Sequence, residues 1–309
     1  SMLCRWRISL HVQVLRFYHL SASGGSHLGR DTPLTTVTRE FSEHLELAEA
    51  EWNQSKLKAL LKNGNNPRGV VFKQFGEIQA MLATGLGYNP SYNRAFHITT
   101  NDSDKIPKVK DWLKKHKVRF AIDIAPPLSS KDTLQALASS SLSPVYFSNI
   151  VFAELGAIDT AAAHDHSLEI VETAHQFYQF SIVLSSAFGI PTELLANTAE
   201  FNQSLYSDPS WKLLLIKVDK KPAAIATLHL SDYAASITCM GTATEYQNIG
   251  LQKIIISECI AVAQKAQSKI ITSQVTPASI SEGNTIKTGF RIAYTKCLWS
   301  TQETMADWG

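Results

Sequence analysis

Cysteine is scarce and scattered. Cys4, Cys239, Cys259 and Cys297 are the four in 309 residues, and no two stand at a Cys-x-x-Cys spacing, so the chain offers neither a disulfide framework nor a zinc-ligand pattern. Scattered thiols suit a reducing compartment, and the expectation is a cytoplasmic protein. Long apolar runs are lacking too. The best stretch, 250–266, is broken by Gln252, Lys253, Glu258 and Gln264 and falls short of the roughly 18 apolar residues that a membrane span needs. Charge of one sign never accumulates: 29 basic and 27 acidic residues are interspersed, so neither nucleic acid nor a membrane is an expected partner. There is no Gly-x-Ser-x-Gly elbow, no Gly-x-x-x-x-Gly-Lys phosphate loop and no catalytic-cysteine signature. Those absences remove the common hydrolase and nucleoside-triphosphate chemistries.

Acidic residues are also missing before Asp31, whereas Arg5, Arg7, Arg16 and Arg30 are present. The bias resembles an organelle transit segment. A leading Ser1 left by a tag, ahead of a native or misassigned N-terminus that packs as a strand or helix, is the favoured reading, and residues 1–38 are read as an extension.

What is present suffices for two units of ordinary size, with 44% hydrophobic and 18% charged residues to supply cores and surfaces. Residues 39–156 read as a mixed unit. A helix over 39–61 carries Phe41, Leu45, Ala48 and Trp52 on one stripe. Extended runs follow at 70–75, 78–83 and 94–98, with a turn at Gly76, and a helix over 106–116 buries Ile106, Val109 and Leu113. A strand at 118–124, a break at Ala125-Pro126-Pro127, a helix at 131–138 and a strand at 145–152 complete it. The junction falls at 156–166.

Residues 165–309 form the second unit. Its predicted order is a strand at 168–171, helices at 173–188 and 193–201, then strands at 211–218, 223–230 and 235–242. Lys220-Lys221-Pro222 makes a turn between two of those strands. A helix over 250–266 buries Leu251, Ile255, Cys259 and Val262, and a strand at 269–274, a helix at 280–287 and a strand at 291–299 end the unit. The fold class is mixed α/β.

The stretch from Cys239 to Gln252 passes from strand to loop to helix. A helix N-terminus presents unpaired N–H groups and the positive end of the helix dipole, and Gly250 lets an anion approach the backbone. On spacing alone, an ordinary β–α connection explains the glycine as well. Gln247-Asn248-Ile249-Gly250-Leu251-Gln252, however, resembles the acyl-CoA loop Gln/Arg-x-x-Gly-x-Gly/Ala of the GCN5-related N-acetyltransferases, departing at Gln252, where that family has a small residue. Thr288-Gly289-Phe290-Arg291 before the last strand, and the element order over 167–300, are similar to that family as well. Gly85-Leu86-Gly87-Tyr88-Asn89-Pro90 and the elements of 40–155 resemble, more distantly, the degenerate N-terminal half of two-part members.

The resemblance implies tandem halves of the acyl-CoA N-acyltransferase fold and acetyl-CoA, or another acyl-CoA, as cosubstrate. It further implies a backbone contact strand at Met240, Gly241 and Thr242 and a pyrophosphate loop of Gln247, Asn248, Ile249, Gly250, Leu251 and Gln252. The implied activity is transfer of an acetyl group to a primary amine of a small molecule or protein; an acyl-CoA sensor without turnover is the alternative. The family often places a proton-donating tyrosine four residues before the Gly-Phe pair. Thr285 stands there. His229 is a chemically suitable base, although a histidine on a half-exposed strand face explains it too, and Glu193, Glu200 and Glu245 read as solvated charges. His164-Asp165-His166, with His175 nearby, contains metal-ligand types but reads as polar loop, so no metal is expected. Gln252 could crowd the pyrophosphate or donate an amide to it.

Overall fold

The computed structural model describes residues 36–61, 64–158 and 166–302. The arginines at 5, 7, 16 and 30, Cys4, and the His164-Asp165 pair lie outside the described residues.

Helix α1 (Arg39–Leu61) precedes the hairpin β1 (Val70–Phe75) and β2 (Ile78–Ala83), then β3 (Arg94–Phe96), α2 (Ile106–Lys115), β4 (Ala121–Ile124), α3 (Lys131–Ser139) and β5 (Ser143–Glu154). After the junction come β6 (Ser167–Ile170), α4 (Ala174–Phe188), α5 (Leu195–Tyr206), β7 (Trp211–Val218), β8 (Lys221–Leu230), β9 (Ala235–Thr242), α6 (Leu251–Lys265), β10 (Ile270–Val275), α7 (Ile280–Lys287) and β11 (Arg291–Ser300). The helix starts follow from capping chemistry. Ser130 opens α3 and Thr173 opens α4 as reciprocal capping boxes, and Gly189 closes α4 in the left-handed conformation.

Several elements differ in their bounds from expectation, three of them for local reasons. The turn between β7 and β8 is Asp219-Lys220, both at positive φ, and Pro222 already lies in β8, opposite Lys217 at a register shift. A proline is tolerated there because the bulge relieves the missing N–H. The strand predicted at 94–98 stops at Phe96 because His97 takes φ +56, and that predicted at 118–124 starts late after Lys117 at φ +54.

All eleven described strands join one mixed sheet in the order β1-β2-β3-β4-β11-β5-β10-β9-β8-β7-β6. The order repeats outward from the central β11–β5 pair: β4, β3, β2 and β1 on one side, β10, β9, β8 and β7 on the other. Its parallel pairs among the described residues, β3–β4 and β9–β10, occupy matching places. β11, the last strand, pairs with β4, and β5 from before the junction pairs with β10. Strands from early and late in the sequence therefore interleave at the centre of the one sheet.

Apolar residues fill both faces. α2 packs on one side through Ile106, Val109 and Leu113 against Ile78, Ile122 and Ile124, and α6 packs through Leu251, Ile255 and Cys259 against Ala224, Ala226 and Leu228. Ile225, the residue between Ala224 and Ala226, points the other way with Leu213 and Leu215 and meets Phe177 and Phe180 of α4, as the two-residue period of a strand requires. α1 covers that second side over β1, β2 and β3.

Candidate functional site

The site is built on β9. It pairs in parallel with β10 at Ala235, Ser236 and Ile237 and then leaves it, although β9 runs on to Thr242. Over the second stretch β9 is held, among the described residues, by β8 alone, through a register shift that leaves Thr238 as the extra residue between Ile237 and Cys239. A bulge of this kind bends its strand and exposes backbone groups on the abandoned side. Gly241 belongs to the departing part. A Cβ there would stand 2.9 Å from Cβ of Ala187 and 3.0 Å from Cε2 of Phe188, so glycine lets the strand pass under the end of α4.

Beyond β9, Thr244–Tyr246 make one 3-10 turn, and the backbone N–H of Thr244 donates to Ser186 Oγ at 3.0 Å. Asn248 at φ +67 and Gly250 at φ +89 then reverse the chain into α6. Gly250 is the N-cap, without a side-chain cap, and among the described residues no atom beyond its chain neighbours and the adjoining helix backbone lies within 4 Å of the place its Cβ would take. Its carbonyl accepts from the N–H groups of Lys253 and Ile254. The N–H groups of Leu251 and Gln252 have no protein partner among the described residues, and Gln247, Asn248, Ile249 and Gly250 are exposed. An open, uncapped N-terminus of a fifteen-residue helix, beside an unpaired strand edge, fits a pyrophosphate and the amide-bearing arm that trails from it.

The remaining loop residues have other duties. Leu251 is buried in the core under α6. Gln252 turns to α7: its Nε2 donates to Ser281 Oγ at 2.8 Å and its Oε1 accepts from Asn284 Nδ2 at 2.7 Å. Thr285 is fully buried, and its hydroxyl donates to the Ser281 carbonyl at 2.8 Å. His229, on β8, is buried edge-on against Trp211, with Nδ1 unpartnered among the described residues. Burial depresses it to about 4, against the pull of Asp208, so it is neutral at pH 7. Glu193, Glu200 and Glu245 are exposed.

Thr238 and Cys239 also line a cavity of about 690 Å³ between α1, α4, α5 and the loop at 86–92. Trp52, Tyr92, Phe201 and Trp211 form apolar walls, and Lys56 extends into the lining with its ammonium 5.0 Å from the ring centre of Trp52 and 4.8 Å from that of Tyr92. A smaller cavity of about 70 Å³ shares Trp52 and Thr238 and is bounded by Glu49, Ser236 and Gln274. Burial pushes the Cys239 thiol up to about 12, so it is no nucleophile at neutral pH.

Beneath the cavity lies a buried ionic cluster. Lys296 on β11 bonds Glu46 at 2.8 Å and also Glu49, and stands 3.7 Å from Asp123. Arg94 on β3 holds Asp123 through two nitrogens and reaches Glu49 at 3.3 Å. Tyr294 donates to Glu46 at 2.7 Å. Burial works against ionisation of Glu49, but Lys296 and Arg94 outweigh it and hold its carboxyl below the usual range. At Glu46 and Asp123 burial prevails and the carboxyls are raised.

Sequence reasoning did not single out Lys56, Arg94 or the carboxylates of α1. One signal was available: Lys56 follows Trp52 by four residues, on the stripe that begins at Phe41, so its side chain must share that stripe's surroundings.

No family model and no curated protein matches the sequence. Solved structures do. A GCN5-related N-acetyltransferase from Kribbella flavida is 13% identical, with a TM-score of 0.58 over 82% of this chain and 95% of that chain. Another from Sphaerobacter thermophilus is 10% identical, at 0.54 over 85% and 92%. A tandem acetyltransferase of the same family, from the clavulanic acid biosynthesis pathway, is 10% identical, at 0.58 over 85% and 93%. Identities this low speak to architecture, and on that ground the chain has the fold of the GCN5-related N-acetyltransferases.

Proposed function

We propose that this chain transfers an acyl group, acetyl foremost, from CoA to a primary amine. The observation that carries the reading is the departure of β9 from β10 after Ile237, directed at the uncapped start of α6. Bound acyl-CoA would supply an activated thioester carbonyl. The N–H groups at the start of α6, opened by Gly250, would hold the pyrophosphate. The free edge of Met240, Gly241 and Thr242 would bond the pantetheine arm and offer an N–H to negative charge developing on the carbonyl oxygen. The acceptor would lie in the 690 Å³ cavity, which reaches the same strand at Thr238 and Cys239. In this reading 39–156 and 165–309 are two acetyltransferase-like halves, and only the second carries the CoA loop. At the matching strand-to-helix turn of the first half, Asp102 is buried and accepts from Thr99 N, Thr99 Oγ1 and Lys105 Nζ, so a carboxylate already uses those donors.

One observation favours a second reading, an acyl-CoA-binding protein without turnover: the Thr285 hydroxyl is committed to its own helix. A thiol of pKa near 8.5 leaves without much help from an acid, so transfer remains the first reading. Free-thiol release from acetyl-CoA across an amine panel, alongside calorimetric titration with CoA, separates the two. Release with at least one amine is expected; CoA binding with no release for any amine would establish the sensor.

A further inference from the structure

The large cavity has a chemical bias. Among the described residues its lining includes the basic side chains Lys56, Arg68 and Arg94 and no aspartate or glutamate. Arg94 is spent on Asp123 and Glu49. Lys56 and Arg68 have no carboxylate partner among the described residues. Arg68 is exposed, whereas the Lys56 ammonium lies among the rings of Trp52 and Tyr92. Ring faces favour a cation there, yet they do not neutralise it, and a desolvated charge without a counter-ion is costly. The cavity therefore offers an anion a charge that no carboxylate among the described residues has claimed, and those residues offer an ammonium no counter-charge.

We infer that the acceptor taken by this cavity is a small molecule bearing a carboxylate on an aromatic or apolar body, with the carboxylate against Lys56 and the body among Trp52, Tyr92 and Phe201. One ammonium flanked by two ring faces offsets a single negative charge, which suits a carboxylate. Polyamines and lysine-rich segments are disfavoured by the same lining. The inference rests on the acyl-transfer reading for the acceptor's amine; the anion seat rests on the cavity itself.

Protonation of Lys56 gives the seat a pH signature. Burial first, then Arg94, draws its ammonium down from the ordinary 10.5 to about 7, with Cys239 and Glu49 acting in the opposite direction. Tyr92 and Cys239, which face it from the loop and from β9, are pushed up to about 12 and stay neutral. Binding of an anion beside Lys56 is coupled to proton uptake by the Lys56 amine near neutral pH, so affinity weakens as pH rises beyond about 7.

The test is calorimetric titration of the full chain with 4-methylbenzoate, which has no amine, and with its neutral counterpart 4-methylbenzamide. The benzoate is expected to bind at least about tenfold more tightly, to weaken with rising pH, and to lose that advantage in Lys56→Gln. Lys56→Arg, charged at every pH used, keeps the affinity and loses the pH dependence. Equal binding of amide and acid, which needs no variant, overturns the inference; so does unchanged benzoate affinity in a Lys56→Gln protein whose melting matches the parent. Turnover is read separately as thiol release with 4-(aminomethyl)benzoate and with benzylamine. Benzylamine and spermidine acetylated as efficiently as the amino acid would sink the anion seat and leave acyl transfer standing. Benzoate binding with no release from any amine would leave the seat standing and sink acyl transfer.

Discussion

Gln252 and Ser281 bridge α6 and α7, with Nε2 donating to Oγ at 2.8 Å. Because Asn284 occupies the other end of the same amide at 2.7 Å, the side chain that replaces a small residue in the loop is turned aside from the helix start. Gln252→Ala is therefore expected to leave CoA affinity within about threefold of the parent, a change of less than about 1 kcal/mol. It should lower stability by about 1 to 2 kcal/mol through the two lost bonds. Calorimetry with CoA and a urea titration check both; a tenfold loss of affinity would mean that the amide serves the cofactor.

Gly250→Val should act in the opposite sense. The position has φ +89 and open space around its missing Cβ, so the obstacle is conformational rather than steric. A β-branched residue held in that region costs about 1 to 3 kcal/mol, and relaxing it re-aims the first N–H groups of α6. CoA affinity is expected to fall at least about tenfold, measured in the same titration, while the CD spectrum stays unchanged.

How much of this was legible depended on the range over which each signal acts. The triplet Ile106, Val109 and Leu113 repeats at helical spacing, and all three are buried in α2. β7, β9 and α7 begin and end where their patterns do. The strand-to-helix turn at Gly250 was visible because the signals that shape it are local. The placement of β11 between β4 and β5 was not, since no local pattern encodes a partner strand more than a hundred residues away. The ionic cluster was hidden for the same reason: Glu49 and Lys296 are 247 positions apart, and each reads by itself as a solvated charge.

That cluster makes a stability prediction. Lys296→Met removes one of two cations from a site with three carboxylates, Glu46, Glu49 and Asp123, and the remaining uncompensated charge should cost about 3 to 5 kcal/mol at pH 7. Without Lys296 the folded-state carboxyls, already raised at Glu46 and Asp123, rise further above their unfolded values. The folded variant then binds more protons than its unfolded chain, so its deficit narrows as pH falls from 7 toward about 5. Urea unfolding of parent and variant at both pH values tests this; a deficit constant with pH would contradict it.

His229 gives a pH dependence of the opposite sign. Its imidazole is buried against Trp211, and burial lowers it from 6.5 to about 4. Below about pH 6.5 the unfolded chain takes up a proton that the folded chain refuses until about pH 4, so stability falls with pH across that window, by up to about 3 kcal/mol. Leucine at this position has no proton to gain, and it removes the unpartnered Nδ1. His229→Leu should therefore match the parent near neutral pH and exceed it at pH 5, because the parent alone pays the linkage there. Thermal melts of both proteins from about pH 7.5 to 4.5 measure the difference. Parallel curves would show that the imidazole reaches a partner or solvent in solution, and that the acid sensitivity of the fold arises elsewhere.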